Sequence, residues 1–216
     1  NAEMPEFLVP AQPSQTRIMT EYSVLGTQHI WGGIDHLMFV LGLLLLVGGG
    51  TRLLWTITAF TVGHSVTLGL VTLGLLSYPV SLVEFAIALS IFVLALDLAR
   101  SPQVGSNQHV SLFKRHPWWL AGGFGLLHGM GFAGALADIG LPQSNVPLAL
   151  LFFNIGIEAG QIAFLLLLLG GWWLFKQALA MSAVTVNRTR LVLIPVYLLG
   201  GLSAMWCIER GIALIS

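Results

Sequence analysis

The sequence predicts an all-α, polytopic integral membrane protein of six transmembrane helices, with the N- and C-termini outside. Three observations predict it. Of 216 residues, 56% are hydrophobic and only 8% charged, and mean hydropathy is +0.87; soluble domains average about 25% charged. Apolar runs of spanning length, ~20 residues, recur at 24–49, 53–76, 80–99, 118–138, 147–175 and 191–214. Lysine and arginine are distributed unevenly. Arg52, Arg100, Lys114, Arg115, Lys176, Arg188 and Arg190 follow the first, third and fifth runs, whereas the other side has only Arg17 and Arg210. The positive-inside rule places the first group in the cytoplasm.

Taken in order, residues 1–23 read as an extended extramembrane lead with Pro5, Pro10 and Pro13. A first residue other than methionine and an external N-terminus fit a cleaved signal peptide. Residues 24–216 form the transmembrane domain. Its first span opens on HIWGGIDH, residues 29–36. On a helix, His29, Gly32, Gly33 and His36 share a face, and Asp35 lies about 100° round from His36. In the second span Thr58, Thr61, Ser65 and Thr72 share a face, with His64 at its edge. Glu84 lies near the outer end of the third span, as an outer mouth would. Span four carries His128 among Gly125, Gly129 and Gly131, small residues that let helices close around an imidazole. Span five has a polar stripe, Asn154, Glu158 and Gln161, at i, i+4, i+7 spacing. Span six holds the single cysteine, Cys207, so neither an internal disulfide nor a cysteine zinc site is available. FTVGHSVTL and FGLLHGMGF, from spans two and four, place Phe and His in the same register.

Depth ties these residues together. His36, His64, His128 and Glu158 each lie about 10–12 residues into their spans, which at ~1.5 Å per residue is ~15–18 Å, half of a ~30 Å hydrocarbon core. A carboxylate at a helix centre costs about 2.5–3.5 kcal/mol on insertion scales, so Asp35 and Glu158 need a reason to be there. Imidazole and carboxylate in one dry site suit a divalent transition metal such as nickel, zinc, iron or cobalt. The candidate ligands are His29, Asp35, His36, His64, His128 and Glu158, supported by Ser65, Asn154 and Gln161. A proton relay uses the same groups. Any one membrane histidine taken alone reads as a helix-packing hydrogen bond. With a net charge of zero, no basic field points to nucleic acid.

At these residues the chain resembles a known family. HIWGGIDHLMFVLGLLLL, TAFTVGHSVTL, FGLLHGMGFAGAL and FNIGIEAGQ are similar, in order, to the signature blocks of HupE/UreJ membrane proteins, in the branch with HSxTL and GxGFA blocks. The resemblance spans about residues 26 to 165. It implies a bacterial inner-membrane protein associated with nickel uptake for hydrogenase and urease, and carries forward His29, Asp35, His36, His64, His128 and Glu158 as metal residues. Transport of a divalent metal is the first expectation, and uptake should then fall as pH drops through the histidine range. The alternatives are an intramembrane metal-dependent hydrolase using Ser65, and an accessory subunit of a membrane complex. Expected partners are the metal ion and the lipid bilayer, with a homo-oligomer or a membrane-complex subunit left open.

Overall fold

The computed structural model describes residues 14–100, 112–139, 145–181 and 188–215, with side chains left undescribed at 112, 133–139, 188–190 and 192. Residues 1–13 of the lead and the connecting stretches 101–111 and 182–187 lie outside the described residues. Every regular element described is a helix: α1 (Gln15–Gly32), α2 (Ile34–Val47), α3 (Thr51–Thr72), α4 (Val80–Arg100), α5 (Leu112–Arg115), α6 (Pro117–Ile139), α7 (Val146–Met181) and α8 (Arg188–Ile215). Four stretches are long and apolar enough to cross a membrane: Thr51–Thr72, Val80–Arg100, Val146–Met181 and Leu193–Ile215. The pair α1 and α2 makes a fifth if its two halves form one span.

That pair corrects the first predicted span. In place of one helix over 24–49, two helices meet at Gly33 at an angle of 77°. The helix also starts earlier than expected. Ser14 caps it, its Oγ accepting from Arg17 N at 3.3 Å, so residues 15–23 are helical and not extended. Gly33 is extended at φ −91°, ψ 97° and serves both helices, closing α1 through its N–H to the His29 carbonyl and opening α2. A Cβ there would lie 2.5 Å from His36 Nδ1 and 3.1 Å from Asp35 Oδ1, so any side chain would displace His36. Beyond α2 the chain reverses through Gly48 and Gly50, at φ 80° and 92°, values that favour glycine.

The helices pack as three close pairs. α3 and α6 run parallel, with Gly63 against the Gly122 carbonyl, Gly125 against the Phe60 carbonyl and Gly129 against the His64 carbonyl. A Cβ at any of the three would overlap the facing backbone. α1 and α7 are also parallel. Gly26 abuts the Phe153 carbonyl, Gly156 abuts the Ser23 carbonyl, and Thr27 Oγ1 donates to the Gly156 carbonyl at 3.0 Å. α4 and α8 are antiparallel, with Gly200 beside Ala95 and Gly211 beside Phe85. Gly125/Gly129 and Gly156/Gly160 are small-xxx-small pairs, which let membrane helices approach backbone to backbone. The short α5 is held by Arg52, whose Nη2 donates to the carbonyls of Lys114 and Arg115.

α2 runs through the middle of the bundle, with Phe39, Val40 and Leu43 fully buried. They join Ile57, Phe60, Ile91, Leu94 and Leu199 in one apolar core. Ile18, Ile30, Leu68, Phe153 and Ile157 make a second. The outward faces stay apolar: Trp55 is 70% exposed and Trp119 78%. Water would penalise such a surface and lipid does not, so the molecule is a membrane protein.

Candidate functional site

The break at Gly33 builds the site. On a straight helix His29 and His36 would stand two turns apart, ~10 Å along the axis. The bend folds one back towards the other, and their ring centroids are 4.5 Å apart. His64 comes in from α3, its ring 5.9 Å from His29 and 6.3 Å from His36. One nitrogen from each of these three histidines lies within 4.8 Å of the other two. His128, on α6, stands beside them, its ring 4.9 Å from that of His36. The glycines of α3 and α6 make this approach possible, since a side chain at Gly125 or Gly129 would push His128 away from His64.

The imidazoles are dry and short of partners. His64 and His128 are essentially unexposed, and His36 is buried. His29 Nε2, His36 Nε2 and both ring nitrogens of His64 and of His128 are buried without a hydrogen-bond partner. Buried polar atoms are normally satisfied, and each one left bare costs about 1–3 kcal/mol. A divalent transition metal, which accepts nitrogen lone pairs, could satisfy several of them at once. Nitrogens on such an ion at about 2.1 Å sit about 3.4 Å apart in a tetrahedron, so the three rings would close in by about 1 Å.

Asp35 orients His36. Its Oδ1 lies 3.1 Å from His36 Nδ1 and also accepts from the His36 backbone N–H at 2.9 Å. An ionised carboxylate can only accept, so this contact favours a proton on Nδ1, and in the neutral ring Nε2 then keeps its lone pair. A carboxylate behind a ligating histidine is the common supporting arrangement at metal sites. The other oxygen, Oδ2, is 3.6 Å from Arg210 Nη2. Phe132 covers His29 at 3.8 Å between centroids and stacks in turn on Phe153 at 5.1 Å. Phe60 and Phe39 flank His128. The cluster thus lies where the two apolar cores meet.

A cavity of about 330 Å³ opens onto the cluster, lined by His29, Asp35, His36, Glu84, His128 and Arg210 among others. The blocks that predicted these residues are not isolated matches: the family model described as HupE / UreJ protein covers residues 6–210. The chain belongs to the HupE/UreJ family. No curated protein and no solved structure matches it.

In this HupE/UreJ protein the remaining predicted site residues divide: Asn154 has its side chain beside His64, whereas Glu158, Ser65 and Gln161 bond elsewhere. Glu158 is not in the cluster. It accepts from Thr58 Oγ1 at 2.6 Å, and Thr58 is six residues before His64 on α3, ~9 Å along the axis. Ser65 donates to the Thr61 carbonyl of its own helix at 2.7 Å and supports no imidazole. Gln161 Oε1 accepts from Thr61 Oγ1 at 3.1 Å, leaving its Nε2 buried and unpartnered. Asn154 Nδ2 donates to the Leu150 carbonyl at 2.8 Å, leaving Oδ1 buried and bare. Glu84 is exposed at the edge of the cavity.

Two residues at this HupE/UreJ site escape the sequence reading. Arg210 looks like an end-of-span charge, yet it reaches Asp35 and also donates through Nη1 to the Glu84 carbonyl at 3.0 Å. The available signal was the need of opposite charges in apolar segments to find each other. Phe132 belongs to the GxGFA block and reads as packing, but it forms one wall of the cluster.

Proposed function

We propose that this HupE/UreJ protein carries a divalent transition-metal ion, nickel or cobalt, across the bacterial inner membrane through the cluster of His29, His36, His64 and His128. The observation that carries the reading is the convergence of three histidines from three helices, one nitrogen of each within 4.8 Å of the others, and each ring with at least one buried nitrogen that lacks a hydrogen-bond partner. Membership of a family associated with nickel and cobalt transport supports it. The ion is the cargo. Neutral imidazoles bind it firmly enough to strip part of its hydration, and Asp35 supplies negative charge behind His36.

The topology of this reading has six spans. The bent pair α1–α2 is one, and α6, with 23 residues or ~35 Å, joins the four long apolar helices. The end carrying Arg52, Arg100, Lys114 and Arg115 is cytoplasmic, and both termini lie outside. Glu84 and the 330 Å³ cavity then face outward. The ion enters past Glu84, meets His29, His36 and His128 in the cavity wall, and reaches His64 behind them. The pairs Thr61–Gln161 and Thr58–Glu158 continue a polar line along α3 toward the cytoplasm, and Glu158 acts there as a way-out group and not as a ligand of the cluster. The hydrolase alternative would use the same histidines with a metal-activated water, and Ser65, which donates to the Thr61 carbonyl of its own helix, adds nothing that favours it.

The test is nickel and cobalt accumulation in cells that lack other uptake routes. His36→Ala and His64→Ala should each abolish accumulation while the protein remains in the membrane at normal amounts. Normal accumulation by both variants refutes the reading.

A further inference from the structure

A guanidinium inside the cavity of a cation site is electrostatically out of place. Arg210 lines the same cavity as His29, His36 and His128, where its charge repels the ion that must pass. Its connections suggest why it is tolerated. Nη2 stands 3.6 Å from Asp35 Oδ2, well beyond the 2.7–2.9 Å of a charge-assisted hydrogen bond. Nη1 makes the firmer contact, 3.0 Å to the Glu84 carbonyl. The Glu84 carboxylate itself is exposed and has no ion-pair partner among the described residues. The guanidinium is therefore anchored on α4 by one nitrogen, loosely placed on Asp35 by another, and over the Trp206 ring at 5.9 Å, while the Glu84 carboxylate borders the same cavity.

We propose that Arg210 is a displaceable latch on the metal path. With no ion present it neutralises Asp35. An arriving dication takes over the negative charge of Asp35, and the guanidinium turns about its Glu84 carbonyl anchor onto the Glu84 carboxylate. When the ion moves on, Arg210 returns to Asp35 and lowers the affinity of the cluster behind it. Arg210 is a positioning residue here, acting through Asp35 and never touching the ion. The latch rests on the transport reading above.

The test uses the full-length protein in cells, with radiolabelled nickel uptake measured against nickel concentration and protein quantified in the membrane. Arg210→Gln should lower KM about tenfold, the scale set by one lost nearby charge, and lower the maximal rate, because release slows. Arg210→Lys keeps the charge and should keep KM near that of the unaltered protein. Glu84→Gln should raise KM in both backgrounds through the lost entrance charge, and by clearly more in the parent protein than in the Arg210→Gln background, since only in the parent do the two side chains exchange. An unchanged or raised KM for Arg210→Gln overturns the latch. So does a Glu84→Gln effect of the same size in both backgrounds, a comparison that survives poor folding of any one variant by using Arg210→Lys beside it. Normal uptake by His64→Ala, in contrast, defeats the transport reading itself.

Discussion

Asp35 decides which nitrogen of His36 is available. Its Oδ1 takes the Nδ1 side at 3.1 Å and leaves Nε2 bare. Asp35→Ala removes that acceptor, and the ring can then turn or change tautomer. Equilibrium nickel binding to the purified protein should weaken about 10–100-fold, the usual loss when a supporting carboxylate is removed. Glu158→Gln should behave differently. It leaves equilibrium binding unchanged, because Glu158 is held by Thr58 at 2.6 Å away from the histidines, but it slows uptake. Measuring both quantities on both variants checks the division of labour. At this scale the sequence revealed residue type and depth, and little about partners. His64 and Glu158 sit at equal counts into their spans, yet Glu158 is turned toward a threonine. How far each helix is shifted along its axis against its neighbours decides that, since Thr58 lies ~9 Å along α3 from His64, and span counting contains no information on neighbours. Arg210 escaped notice for the same reason: its reach back to Asp35 depends on which helix stands beside α8.

The decisive element is the interrupted pair α1–α2. Averaged over a whole span, hydropathy does not register a bend. The local signal was Gly32-Gly33 between two histidines, a pattern that reads equally well as a packing notch or a helix breaker. Gly33→Ala should distinguish its importance. The new methyl would lie 2.5 Å from His36 Nδ1, so His36 must move. Metal binding should be lost, with about 1–3 kcal/mol of destabilisation from overpacking, measured by thermal unfolding in detergent. Gly125→Val acts one element further away. It places a side chain against the Phe60 carbonyl and 3.0 Å from His64 N, forcing α3 and α6 apart. It should cost more stability than Gly33→Ala, because two backbones and not one ring are displaced. The glycines around His128 were legible as sites of close approach. That their partner is α3, the helix of the matching FTVGHSVTL stretch, required the coordinates.

For the whole molecule, apolar runs marked where α3, α4, α6, α7 and α8 would form, and the Lys/Arg distribution suggested which end faces the cytoplasm. Neighbour relations were hidden, since apolar faces in lipid carry no mark of which helix they meet. The topology has a direct check. In a Cys207→Ser background, Ser77→Cys should react with a membrane-impermeant thiol reagent in intact cells, and His116→Cys only after the membrane is opened. The reverse pattern would turn the protein over.

The helices are knitted backbone to backbone inside the pairs α1–α7 and α3–α6, by Gly26 and Gly156 in one and Gly63, Gly125 and Gly129 in the other. His29 rides on the first plate, and His64 and His128 on the second. The imidazole ring is therefore assembled across a seam between two stiff halves, with His36 on the bent strut of α2 between them. If the halves slide by even a couple of ångströms, the grip on a captured ion is divided, with no helix having to unwind.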